Sequence, residues 1–264
     1  VDFEKKYPER YFDVGIAEQH AITLSAGLSC GGLKPIVAIY STFLQRGYDQ
    51  LIHDVVIQKL DVLLAIDRAG IVGADGETHQ GIYDISFLRI LPKIVIMTPS
   101  DELEMWKMLT TGFNYNGLAS VRYPRGFSLG LDLDLKLENI EIGKSKLIRD
   151  GEKIAYLVFG TLINNVKLVA EKNNATVVDM RFAKPIDEKM IIDICNSHEY
   201  IFTVEDNAIL GGAGSAVNEV VVKNGIQTKI INLGVPDKMI PHGNQDDILS
   251  DLGLDVSGIM KTTN

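Results

Sequence analysis

Cysteine and tryptophan are nearly absent from this chain: two cysteines and one tryptophan in 264 residues. The thiols, Cys30 and Cys195, lie far apart, each in an apolar segment. They supply no disulfide framework and read as two buried thiols of a reducing compartment. No Cys/His cluster has metal-ligand spacing. No apolar run approaches the roughly 18 residues that cross a bilayer, and no signal-peptide pattern is seen. Positive charge is scarce as well, with 26 Lys and Arg against 35 Asp and Glu and a net charge of −9. An acidic chain without basic clusters argues against nucleic acid or a membrane surface as partner. A local basic pocket for a phosphate remains compatible with it. Short-period repeats and low-complexity tracts are missing too.

What is present is ordinary for a globular protein: 46% hydrophobic and 23% charged residues, in a length that can fill one large or two ordinary cores. The first residue is Val1 rather than Met, ahead of a charged, helix-like VDFEKKYPER. The expectation is a piece of a longer protein.

Strand-like and helix-like runs alternate throughout. Short β-branched runs predict buried parallel strands at 35–40, 62–66, 93–97 and 119–123, then at 153–160, 175–180, 199–205 and 228–233. Glu18 to Cys30 predicts a helix closed by Gly31-Gly32, and Thr42 to Leu60 a second. A third opens at TPSD, where Ser100 or Asp101 can cap and Glu104 suits a capping box. The stretch 128–143, SLGLDLDLKLENIEIG, alternates Leu with Asp or Lys and has no helical stripe, which predicts a linker. The fold class is therefore α/β, two doubly wound and mostly parallel sheet domains spanning 1–127 and 144–264.

Ligands of such sheets bind beyond the carboxyl ends of strands. In the first half the post-strand loops are rich in polar groups: AEQH after YFDVG, Ser41 to Arg46 after PIVAIY, a glycine-rich fifteen-residue loop at 67–81, and Pro124-Arg125-Gly126 after ASVRY. A loop that long is usually functional or disordered. Asp75, His79, Arg68 and Arg125 are expected to converge at one rim. Each has a plainer reading. Glu18 can be an exposed first-turn carboxylate favoured by the helix dipole, or a buried acid with a chemical task. His79 can brace its loop, Arg68 and Arg125 can form surface ion pairs, and Tyr40 and Phe43 can be core residues. The run Gly211 to Gly214 could cradle a phosphate, but without GxGxxG spacing or a following Lys it reads as tight strand-to-helix packing.

The segments YFDVGIAEQH, PIVAIYSTFLQRGYDQ, DRAGIVGADGETHQG, IMTPSD, VRYPRG, VVDMRFAKPID and GGAGSAVNE closely resemble those of the 1-deoxy-D-xylulose-5-phosphate synthase family, within the thiamine-diphosphate-dependent transketolase group. The likeness runs from residue 1 to about residue 255. It covers the family's pyrimidine-binding domain, without its opening strand and helix, and its C-terminal domain. The family's diphosphate domain, whose GDG motif and later Asn hold magnesium, has no counterpart here. The resemblance implies that Glu18 hydrogen-bonds N1′ of the cofactor's aminopyrimidine. Burial favours the neutral form of a carboxyl, so an acid framed by Ile16, Ala17 and Ile22 suits the sharing of a proton with that ring. Phe43 would stack on the pyrimidine, and Tyr40 and Arg46 would line the site. Asp75 and His79 would lie near the reacting carbons, with His79 binding substrate or moving a proton. Arg68 and Arg125 would hold the acceptor's phosphate.

The implied cofactors are thiamine diphosphate and Mg2+, the latter held outside this chain. The implied substrates are pyruvate and D-glyceraldehyde 3-phosphate. The implied partners are a diphosphate-binding domain or chain and a second copy in a homodimer with an extensive apolar interface, in the bacterial cytoplasm or the plastid stroma. In the tail, His242 stands where the family has Gln, far from the expected chemistry, and receives no role. Two alternatives remain. One is the β-type subunit of a two-component 2-oxo acid dehydrogenase, against which His20 after AEQ, THQG and YPRG speak. The other is a non-catalytic fragment that kept the fold.

Overall fold

The computed structural model describes residues 2–131 and 136–263. Ten strands form in chain order: β1 Ile36–Tyr40, β2 Val62–Asp67, β3 Val95–Met97, β4 Leu118–Arg122, β5 Lys146–Arg149, β6 Ile154–Phe159, β7 Thr176–Asp179, β8 Phe182–Lys184, β9 Tyr200–Ala208 and β10 Lys229–Val235. The α-helical segments are α1 Asp2–Lys6, α2 Glu18–Cys30, α3 Ser41–Leu44, α4 Tyr48–Gln50, α5 Asp84–Arg89, α6 Glu102–Asn114, α7 Ile163–Asn173, α8 Glu188–Ser197, α9 Ala213–Lys223, α10 Gln245–Asp251 and α11 Val256–Thr262. No helix among the described residues is long and apolar enough to cross a membrane.

One sheet has the order β1-β2-β4-β3-β8 and the other β10-β9-β6-β7-β5. Pairing is parallel except at β8 against β3 and at β5 against β7. The continuous apolar runs become strands buried along their length, as at VLLAI in β2 and LASVR in β4. Helices on both faces hide them from water. The strand–helix rhythm thus yields the two mostly parallel α/β sheets that the sequence predicts. The two short antiparallel strands are absent from that prediction. KLIR and FAK have no pattern of their own, and their partners assign them. One of those partners lies in the other half of the chain: β8 pairs Ile96 with Lys184 and Met97 with Phe182, so the second domain completes the first sheet. A single apolar cluster joins Ile85, Leu88 and Ile96 to Ala183, Ile191 and Ala213.

Three local expectations need correction. The helix expected over 42–60 is broken into α3, a 3₁₀ turn at Gln45–Gly47, α4 and a π-helical stretch at Leu51–Val56, the backbone leaving the helical region at Gly47 with φ −96° and ψ 10°. Asp101 does cap α6, accepting from the Glu104 N–H at 2.8 Å. No capping box forms: the Glu104 carboxylate instead takes Nη2 of Arg181, at 2.6 Å. Cys30 is exposed rather than buried, while Cys195 is buried and its thiol is pushed up to about 11 by desolvation. Of the expected linker, residues 132–135 lie outside the described residues. Its flanks run back across α6, with Trp106 Nε1 donating to Lys136 O and Thr111 Oγ1 accepting from Ile140 N.

Candidate active site

The parallel register of the first sheet lines up the carboxyl ends of three strands. Tyr40 pairs with Asp67, and Ile66 with Arg122. The residues that follow, Ser41 to Arg46, Arg68 to Gly81, and Tyr123 to Arg125, therefore leave the sheet from one edge.

Glu18 is the first residue of α2, and its side chain is 11% exposed. Ile22 beneath it is fully buried, but Ile16 is 93% exposed. The expected apolar frame is thus only half present, because YFDVGIA runs along the surface before the helix starts. The nearest charged neighbour of the Glu18 carboxylate is Arg46, with Nη1 at 3.3 Å from Oε1. Gly47 brings the two together. A Cβ there would meet Ile22 Cγ1 at 2.9 Å and Glu18 O at 3.2 Å. Only glycine lets the turn after β1 lie on the first turn of α2. On that turn the rings of Tyr40 and Phe43 stack at 5.5 Å, and the Arg46 guanidinium sits 4.8 Å from the Phe43 ring centre.

The 67–81 loop supplies the rest. Gly70 and Gly81 close it with a two-way backbone bridge, 2.7 and 2.9 Å. Arg68, at φ +52, turns its guanidinium over the Tyr40 ring at 3.9 Å and bonds Asp67 at 2.7 Å. Asp75 lies between two arginines: 3.5 Å from Arg68 Nε and 3.0 Å from Arg125 Nη1. His79 does not join that ion cluster. It meets the Phe43 ring edge-on at 5.1 Å and contacts the Thr78 hydroxyl at 2.9 Å. The loop therefore spans from an arginine rim to the aromatic turn beside Glu18.

Comparison with known proteins bears on this arrangement. The model described as the transketolase pyrimidine binding domain matches residues 1–127, and the transketolase C-terminal domain matches residues 143–259. The chain belongs to the transketolase family. Over 260 residues it is 59% identical to the 1-deoxy-D-xylulose-5-phosphate synthases of Enterobacter sp. (strain 638) and Escherichia coli (strain SMS-3-5 / SECEC). These matches cover 98% of this chain and 42% of each relative, so the chain spans less than half the length of those proteins. Among solved structures it is similar to a split gene transketolase, described as an inactive beta4 tetramer, with a TM-score of 0.86 and 26% identity over 99% of this chain and 85% of that one. It shares its fold with the transketolase of Campylobacter jejuni subsp. jejuni NCTC 11168, with a TM-score of 0.77 and 18% identity over 96% of this chain and 39% of that one.

Several features of this transketolase-family chain escape sequence reasoning. Asp67 anchors Arg68; burial, helped by the Asp67 charge, pushes the Tyr123 phenol up to about 12. Arg122 is 4% exposed and bonds Asp84 at 2.8 Å and Asp206 at 2.6 Å, linking the two domains. A signal for it did exist, since a cation inside a buried strand must be paired. His242, placed far from the site by sequence, lies against the loop: a Cβ on Gly76 would come within 3.8 Å of His242 Cβ. At the 211–214 glycines, Glu205 occupies the helix N-terminus, accepting from Ala213 N at 2.8 Å and Gly214 N at 2.7 Å. A phosphate has no free N–H pair there, and the packing reading holds.

Proposed function

We propose that this chain is the cofactor-activating and acceptor-binding part of a 1-deoxy-D-xylulose-5-phosphate synthase. The reaction joins pyruvate, with loss of CO2, to D-glyceraldehyde 3-phosphate with the help of thiamine diphosphate. One observation carries the reading: a nearly buried carboxylate, paired with an arginine that lies over an aromatic ring, shares one sheet edge with a two-arginine rim. The chain's 59% identity to such synthases supports it. The same identity speaks against the β-type dehydrogenase subunit.

The donor set fits an aminopyrimidine. Glu18 Oε1 has Arg46, and among the described residues no donor reaches Oε2. The guanidinium over Phe43 belongs to a side chain that is 53% exposed and can yield to a ligand. Phe43 and Arg46 would hold the ring, and Glu18 would hold or take the proton at its N1′. When bound, thiamine diphosphate supplies the nucleophilic carbon that attacks a 2-oxo group. Arg68 and Arg125 are the phosphate clamp, since guanidinium forks match phosphate oxygens. Until the acceptor arrives, Asp75 holds both arginines in place. Tyr40, beneath Arg68, keeps that guanidinium aimed. His79, on the ring side of the loop, is the group assigned to move a proton at the acceptor's oxygen.

Among the described residues no group of three or more His, Cys, Asp or Glu could hold a metal ion. We assign the Mg2+ and diphosphate sites to the part of the relatives that this chain does not span. With them we assign a homodimer and, from the bacterial relatives, a bacterial cytoplasmic setting. The isolated chain is proposed to be inactive. The split gene neighbour, described as inactive, supports this.

The test is Glu18→Gln in the full-length enzyme. A drop in kcat of roughly a hundredfold or more is expected for a lost proton-transfer group, and an undiminished rate sinks the reading. Calorimetry on the isolated chain should show no tight uptake of thiamine diphosphate with magnesium.

A further inference from the structure

The 67–81 loop carries Asp75 and His79, yet the first domain alone does not hold it. Its base is the Gly70–Gly81 bridge. There Arg122 Nη2 donates to Gly81 O at 3.3 Å, while Arg122 Nη1 donates to Asp206 Oδ1 on β9 of the second domain at 2.6 Å. Asp206 is seated so closely that a Cβ on Gly70 would fall 2.0 Å from its Oδ2. The crown of the loop is held independently. Gln245, at the start of α10, donates from Nε2 to Ile71 O at 2.6 Å, and its backbone N would lie 2.8 Å from a Cβ on Gly73. Gln80 ties the crown to itself by accepting from Val72 N at 3.0 Å, and to the second domain by donating to Pro241 O at 3.4 Å. Apolar contact backs both points: Ile71 and Ile82 share a buried cluster with Val235, Ile240 and Ile248.

We propose that the second domain positions the acceptor loop through Asp206 at its base and Gln245 at its crown. Acceptor affinity is then set in part by side chains that touch no substrate. The kinetic half of this inference rests on the function proposed above; the structural half does not. Both residues act through others, Asp206 through Arg122 and Gln245 through Ile71 O, and are positioning residues. Loops carry function where a scaffold fixes them. Here half of the scaffold belongs to the neighbouring domain.

The experiment uses the full-length enzyme with Gln245→Ala and, separately, Asp206→Asn, which keeps the shape and removes the charge. Hydrogen exchange at amides 71–80 should quicken by about fivefold to tenfold, the size of one lost hydrogen bond. Amides of β2 and β4 should keep the parent rate. The KM for D-glyceraldehyde 3-phosphate should rise by a similar factor, while the KM for pyruvate and thiamine diphosphate affinity stay near the parent's. Tm stays near the parent's in Gln245→Ala and falls in Asp206→Asn, which takes one counter-charge from buried Arg122. Unchanged loop exchange in Gln245→Ala overturns the proposal. So does a variant in which cofactor affinity and both KM values worsen together, because that pattern means a generally loosened domain. If the parent makes no product from the aldehyde, the functional reading fails, and the exchange measurement still decides whether the second domain holds the loop.

Discussion

At the scale of single residues, Arg122 is a buried cation held between two carboxylates. It is 4% exposed and faces Asp84, itself fully buried, and Asp206. Both carboxylates raise the guanidinium's proton affinity against the cost of burial. Arg122→Met would strand two buried carboxylates, and removing one partner of a buried pair costs about 3–5 kcal/mol. Urea unfolding should show a loss of that size, with Arg122→Lys intermediate because it keeps the charge but not the fork. Glu205 gives a prediction in pH. Burial pushes its carboxyl from 4.5 up to about 8, against the opposing pull of the Gly214 and Ala213 N–H groups. The folded state then binds this proton more tightly than the unfolded chain. That contribution is complete below about pH 4.5 and is lost as pH rises through about 8. Asp179, pushed up to about 6 by burial, adds the same sign over a lower window. Glu205→Gln should flatten the fall in unfolding free energy across the upper window. Parallel pH profiles for parent and variant would contradict this assignment.

At the scale of elements, the contact between α2 and the turn after β1 sets the geometry between the acid and the ring. Gly47 has an ordinary negative φ, so what forbids a side chain there is contact rather than strain: Ile22 Cγ1 at 2.9 Å and Glu18 O at 3.2 Å. Gly47→Ala should cost about 1–3 kcal/mol of stability as an overpacked contact. Its effect on thiamine diphosphate affinity in the full-length enzyme should be of similar size, on the order of tenfold to a hundredfold, because it shifts Phe43 and Arg46 away from Glu18. Calorimetric titration of the variant checks this; parent-like affinity would separate the turn from cofactor binding. The cap of α6 is a calibration of ordinary size. Asp101→Ala should lose about 1 kcal/mol, read as a lowered Tm with unaltered kinetics.

At the scale of the whole molecule, the two sheets are not independent. Besides β8 on β3, Arg89 of α5 donates from Nη1 to Gly211 O at 2.8 Å and pairs Nη2 with Glu219 at 2.7 Å, both in the second domain. Ala208 N donates to Ile82 O at 2.7 Å. With one apolar cluster shared as well, calorimetry on this chain should give a single unfolding transition whose van't Hoff and calorimetric enthalpies agree. Two separated transitions would show that these contacts carry little cooperative energy.

The sequence by itself determined the alternation of strands and helices, the ends of α2, the start of α6 to within two capping candidates, and the resemblance that singles out Glu18, Phe43, Arg68 and Asp75. Each of these is written in neighbouring residues, through hydrophobic period, capping chemistry or contiguous motif. Tertiary structure decided the rest. It assigned β5 and β8, whose few residues carry no period and gain strand form only from a partner. It interrupted the 42–60 helix at Gly47, where the backbone leaves the helical region and lies on α2. It left Ile16 in water and set His242 and Gln245 against the loop, across a separation of some 170 residues in the chain. Local sequence records what a backbone prefers; which carboxylate meets which guanidinium is settled only when burial leaves a charge no water and requires a partner.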